Sequence, residues 1–302
     1  MLVQLSPNPN PYNGDITAHD EVYQTDNYTN NGSITLMGGM TNNAIFNNTY
    51  DGFESNLIIH TGDFENVGEL HNQGSISIYG PKATQAFSNI IDGLLTNNTV
   101  DSQEGKVGGT IDIYNDGALV NYGSIVNNGV ITVHSGAIEN TTSGSISGNG
   151  SINVPAGGTL TNEGTISPGN STGGFLINGT LNHNDAGSKE IELSGTDDAD
   201  RDLIKTDYDF IDITGDLILD GGALEVSLID GFELGLDQEF IIAKVDGELT
   251  GTYEGLEEGA IVGHFDSIYG QIGMNLFITY EAGDGNDIAL YTEDNLFGFQ
   301  YF

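Results

Sequence analysis

The chain has 302 residues, with 44 Asp and Glu against 6 Lys and Arg, a formal net charge of −38, and no Cys. That balance excludes nucleic acid and anionic membrane surfaces as partners, since both require basic patches. The missing Cys excludes disulfides and thiol chemistry. Divalent cations are the natural partners of so much carboxylate. With 37% hydrophobic residues in a strong pattern, the chain is expected to fold rather than stay disordered.

Residues 1–19 form an N-terminal arm. Its run Ser6-Pro-Asn-Pro-Asn-Pro-Tyr12 is extended and unsuited to a central strand. The start Met1-Leu2-Val3-Gln4-Leu5-Ser6-Pro7 is too short and uncharged for a signal peptide. No stretch approaches the ~20 apolar residues of a membrane-spanning helix.

From residue 20 to 187 the chain repeats. One phrase, G-x-L-x-N-x-G-x-I, occurs at Gly68–Ile76, Gly117–Ile125 and Gly158–Ile166. A copy with two extra residues spans Gly136–Ile146, and one opening on Asp spans Asp26–Ile34. Ile125, Ile146 and Ile166 recur at about 20-residue spacing, as do Ile131 with Ile152, and Leu119 with Ile138 and Leu160. A 20-residue unit with three short apolar strands has the size of one coil of a parallel β-helix. Alternation points one aliphatic side chain of each strand inward, and stacked coils form ladders at ~4.8 Å. Glycine is expected at corners for its positive φ. Asn72, Asn121, Asn140 and Asn162 are expected to share one stacked position. Segments 40–66 and 80–110 read as coils with insertions. At ~20 residues per coil, 20–187 holds about eight coils, on the order of 40 Å long.

Those phrases, with Gly164-Thr-Ile-Ser-Pro-Gly169, resemble the coils of autotransporter-type and filamentous-haemagglutinin-type passengers. The resemblance extends through Asp212-Ile-Thr-Gly-Asp-Leu217, Gly222-Ala-Leu-Glu-Val226 and Gly285-Asn-Asp-Ile-Ala-Leu290. It implies a right-handed parallel β-helix, an extracellular or cell-surface setting and a bacterial adhesive or matrix role. The sequence departs from such proteins in carrying no membrane barrel.

Residues 188–292 are richer in acid and alternate more strictly, as in Leu224-Glu-Val-Ser-Leu228 and Asn275-Leu-Phe-Ile-Thr-Tyr280. This section is expected to be β-rich, partly antiparallel, and to close the end of the solenoid, because an open end exposes backbone groups and apolar core. Within it Asp198, Asp200 and Asp202 have the alternate spacing of a calcium loop, with Asp209 at the twelfth-position distance. Leu203 stands where such a loop needs Gly, and the competing reading is a solvated acidic turn. Gly283-Asp-Gly-Asn-Asp287 reads as a hairpin turn. The tail, 293–302, alternates Phe297, Phe299 and Tyr301 before Phe302. It is expected either to fold onto its own core or to pair with a neighbouring subunit by strand addition.

No catalytic constellation emerges. Lys82 and Lys106, the lysines of the repeat region, sit beside no acidic cluster, as a lyase would need. Glu69, Asp112, Glu139 and Glu163 occupy outward positions rather than facing each other across a groove. The six His show no metal-ligand spacing, and no phosphate loop or nucleophile elbow is present. The expected function is therefore non-enzymatic: a subunit of a self-assembling surface filament or matrix fibre, polymerising end to end. The alternative is an adhesin stalk binding surface glycans, with a polysaccharide-cleaving enzyme third.

Overall fold

The computed structural model describes residue 5 and residues 15–293, apart from 21, 50–54, 61–63, 80–84, 90–92, 103–104, 108, 115–117, 155 and 269. Three long sheets hold nearly all the strands, in orders of 13, 10 and 9, and a two-stranded hairpin stands apart. The chain visits the sheets in rotation. Asp15–Ala18 opens the first sheet, Val22–Gln24 the second and Tyr28–Asn30 the third, and Ser33–Leu36 returns to pair parallel with Asp15–Ala18. This all-β course, with long parallel sheets, is consistent with a β-solenoid. Among the described residues no helix is long and apolar enough to cross a membrane.

Short strands suffice because each residue that points inward finds its equivalent one coil away. In the first sheet one continuous ladder runs through Ile34, Leu57, Ile76, Ile111, Ile131, Ile152, Ile177, Ile213 and Val245. In the second it runs through Leu119, Ile138, Leu160, Leu181, Leu217 and Leu249. In the third it runs through Tyr28, Phe46, Leu70, Leu95, Ile125, Ile146 and Ile166. The periodic aliphatic positions of the sequence are these rungs. Most are fully buried, each worth about 1.5–3 kcal/mol of transfer free energy. In the N-terminal coils Tyr28 stacks on Phe46 with ring centroids 5.6 Å apart. Leu5 is 4% exposed in the same core, and its N–H donates to Oε1 of Gln24.

The shared asparagine position separates into two ladders. Asn72 belongs to the third sheet, in the series Asn30, Asn48, Asn72, Asn97, Asn127, with amide-to-amide bonds of 2.8–2.9 Å. Asn121, Asn140 and Asn162 belong to the second sheet, linked at 2.7 Å. The repeated phrase is thus a corner element used at two corners. Gly68–Ile76 turns from third sheet to first, whereas Gly117–Ile125 turns from second to third. The same chemistry serves both. The Asn Oδ1 accepts the N–H two residues on, as from Gly74 to Asn72 (3.2 Å), and Nδ2 donates to the next coil's backbone, as from Asn140 to Thr165 O (3.1 Å).

The phrase glycines meet two needs, and Gly136 has the expected positive φ, at 107°. Gly74 and Gly164 lack positive φ. Instead, a Cβ on Gly74 would lie 2.3 Å from the Ser55 carbonyl oxygen, and one on Gly164 2.2 Å from that of Gly144. Those two corners need glycine because adjacent coils approach there without room for a side chain.

Residues 85–98 continue the second and third sheets, and the insertion in this region is the antiparallel hairpin Val100–Ser102 with Gly105–Val107. Eight strands of the second sheet fall within 20–187. The compositional change near 188 does not interrupt the pairing. Ser188–Leu193 pairs parallel with the preceding coil and with Ala223–Leu228, and parallel pairing persists to Leu249–Thr252. Among the described strands of this section, antiparallel pairing joins Glu239–Val245, Asp287–Tyr291, Gly270–Ala282 and Ile261–Ser267, which extend the first sheet beyond the other two. Longer alternating strands gave the acidic section its distinct look while its first part kept the parallel course.

Candidate functional site

The acidic loop near 200 spends its carboxylates on its own backbone. Asp198 Oδ1 accepts from Asp200 N (3.1 Å) and Asp197 Oδ1 from Ala199 N (2.8 Å). Asp202 Oδ1 accepts from Ile204 N (3.0 Å), which holds that carboxyl below the usual range, and its other oxygen faces Lys205 at 3.4 Å. Asp209 is fully buried elsewhere, taking N–H groups from Gly173 (2.8 Å) and Glu192 (2.9 Å). Burial pushes its pKa up to about 8. Asp198, Asp200, Asp202 and Asp209 therefore do not converge. Among the described residues no three His, Cys, Asp or Glu side chains group as metal ligands. Arg201 pins the loop to the stack: its guanidinium pairs with Asp212 at 2.6 Å, donates to Ile241 O and lies 4.0 Å from the centroid of Phe210. Phe297, Phe299, Tyr301 and Phe302 lie outside the described residues.

The outer faces carry ladders of their own. On the first sheet His60, Tyr79, Tyr114 and His134 each follow the second inward aliphatic of their strand. Their rings stack in series at 5.6, 4.6 and 4.2 Å, within 17° of parallel. Asp112 accepts from or pairs with His134 at 2.9 Å. Two more outward carboxylates engage neighbours on their own face: Glu69 meets His71 at 3.1 Å, and Glu163 accepts from Asn184 at 3.2 Å. Along one corner the half-buried Asn128 and Asn149 interlock with the exposed Asn170, and Asn128 is also bonded to Asn98. Beside them Ser147, Ser167, Asn170, Ser171 and Glu192 line an open polar groove of about 440 Å³.

Among the described residues each sheet leaves an edge strand at both ends of the stack: Asp15–Ala18, Val22–Gln24 and Tyr28–Asn30 at the N-terminal end. At the C-terminal end Ala223–Leu228 ends the third sheet, Leu249–Thr252 the second and Ile261–Ser267 the first. The side chains of Ala223–Leu228 alternate between exposed and half-buried, and the other two strands mix exposed and half-buried positions, with Ser267 buried. Ile261 is 52% and Ile268 60% exposed, among the most exposed large apolar residues described.

Inside, the second-sheet amide ladder ends on His183, whose Nδ1 meets Asn162 Nδ2 at 3.0 Å while its buried Nε2 has no hydrogen-bond partner. Lys189 occupies the third-sheet rung after Ile166, fully enclosed, donating to Ile242 O at 2.9 Å. Burial, then the nearby Arg201 charge, lowers its pKa to about 7. Burial and Lys189 lower that of His183 to about 4. Sequence reasoning missed both, although Ser188-Lys-Glu-Ile-Glu-Leu193 places Lys189 on the face of Ile191 and Leu193.

No family model and no curated protein sequence matches this chain.

Proposed function

We propose that this chain is a structural subunit of an extracellular filament or matrix fibre, a right-handed β-helix that polymerises end to end. The observation that carries the reading is the open C-terminal end. Three sheets finish there on edge strands, with exposed Ile261 and Ile268 beside them, an arrangement that soluble proteins ordinarily blunt. Strand addition from a second copy would pair those edges, with the aromatic tail of Phe297, Phe299, Tyr301 and Phe302 as the bridging segment. The flanks support a passive role. The carboxylates of Glu69, Asp112 and Glu163 are engaged with neighbours, and the charge of −38 keeps rods apart sideways. The phrase resemblance to autotransporter-type passengers supports a surface location. Calcium enters this reading as counter-ion to the acidic surface.

The test is negative-stain electron microscopy of the full chain, in calcium and in chelator, beside a variant lacking residues 294–302. Regular filaments that the truncation abolishes support the reading, and their loss in chelator ties cations to assembly. Isolated short rods in every condition overturn it. A second reading, a stalk that binds surface glycans, draws on the polar groove around Ser147, Ser167 and Glu192. Glycan-array binding by isolated rods, lost on Glu192→Ala and Asn170→Ala, would favour it.

A further inference from the structure

Tyr79 and Tyr114 hold a relation shared by no other two of the described tyrosines. Their strands pair parallel with Tyr79 directly opposite Tyr114. The rings stack at 4.6 Å between centroids and 5° between planes. At that separation ring carbons of the two phenols are in van der Waals contact. Each ring is half-buried, so the pair is reachable from solvent along its edge. The flanking rings of His60 and His134 cover the two ends of the stack and hold both phenols in line. Tyr253 and Tyr280, the other neighbouring pair, are tilted by 37° at 6.5 Å and enclosed, with Tyr280 donating its hydroxyl proton to Leu256 O.

The geometry points to Tyr79 and Tyr114 as a built-in oxidative cross-linking site, in which a peroxide-driven one-electron oxidant joins two coils through a dityrosine bond. Each phenol gives up one electron and its hydroxyl proton, forming a phenoxyl radical. The two radicals couple through the ring carbons ortho to oxygen, forming one C–C bond. Each coupled carbon then passes its hydrogen to its own oxygen, restoring two phenols. The two electrons and two protons lost reduce one hydrogen peroxide to two waters, with a haem peroxidase as carrier. The fold contributes proximity. Two residues fixed on adjacent strands react as an intramolecular pair, at an effective concentration far above that of separate chains. The bond would close the chain across the segment between them, which holds the irregular coil and the Val100–Ser102 hairpin. It would fasten the stack beside the hairpin insertion. This inference does not depend on polymerisation, because the link lies within one chain.

The experiment treats dilute folded protein with a haem peroxidase and limiting hydrogen peroxide, then digests it and sequences cross-linked peptides by mass spectrometry. An equal mixture of normal and heavy-isotope-labelled chains separates links within a chain from links between chains. The expected result is dityrosine emission and one dominant intrachain peptide pair, Tyr79 to Tyr114. Both signals should disappear in Tyr79→Phe and in Tyr114→Phe, which keep the stacked rings, and the selectivity should vanish in guanidinium. The site is refuted if folded protein yields no such pair, if the tyrosines link without preference, or if the Phe variants retain the emission.

Discussion

Replacing Asn140 tests whether the buried amide ladder holds the coils together or merely fills space. Asn140 is fully buried, accepts from Asn121 Nδ2 at 2.7 Å, and donates to Asn162 Oδ1 at 2.7 Å and Thr165 O at 3.1 Å. Alanine removes three bonds at about 1 kcal/mol net each and strips a donor from two buried acceptors, so Asn140→Ala should cost about 3–5 kcal/mol. Asn140→Asp keeps the shape but places an acceptor toward two acceptors. It should be worse than alanine at neutral pH. Burial raises that carboxyl in the folded state, so its native form is favoured at low pH and the stability is lost as pH rises. The gap between the two variants should close as pH falls toward about 4. The assay is guanidinium unfolding followed by far-UV circular dichroism, with hydrogen exchange across residues 110–170 as a local readout. Thr161→Ala, a half-buried outward change on the paired strand, is the control. If Asn140→Ala falls within about 1 kcal/mol of that control, the ladder is not a structural element and the reasoning fails.

Lys189, lowered to about 7 in the fold, leaves the unfolded chain binding more protons between about 7 and 10. Stability should therefore climb from about pH 8 to about pH 10, by up to ~1.4 kcal/mol per pH unit, and Lys189→Met should flatten the climb in denaturant midpoints. That window lies above the one in which Asp209, raised to about 8, acts with opposite sign. His183, lowered to about 4, should cost stability as pH falls from about 6.5 toward about 4. His183→Asn continues the amide ladder and should remove that acid limb in thermal melts without loss at neutral pH. Gly148 has φ +109°, and a Cβ there would lie 2.3 Å from the Asn127 carbonyl oxygen. Gly148→Ala should cost about 2–4 kcal/mol in unfolding experiments.

The aliphatic ladders were legible because their pitch survives in the spacing of Ile125, Ile146 and Ile166, which do stack as rungs. What the spacing cannot carry is which sheet a phrase lies on. Asn72 and Asn121 occupy the same place in the repeated phrase but stand on different sheets, because a coil can carry asparagine at both corners, as at Asn66 with Asn72 and Asn121 with Asn127. The acidic loop carries two readings for a related reason. Alternate Asp residues suit a cation, yet equally suit turns in which each carboxylate bonds an N–H two residues on, as Asp198 and Asp202 do. The stacked outer rings of Tyr79 and Tyr114 were readable in principle. Each directly follows an inward isoleucine, and that regularity shows only once strands are laid in register.

One corner phrase serving two corners has a consequence for how the chain finds its register. Coils with interchangeable ends can be threaded one place out with little local penalty, like a zip joined a tooth off. The odd rungs then act as index marks. Tyr28 on Phe46 at one end, and His183 with Lys189 at the other, fit one alignment only. A slipped chain would face bulk against bulk or leave a charged amine among aliphatics. The irregular rungs, rather than the repetition, specify which turn lies on which.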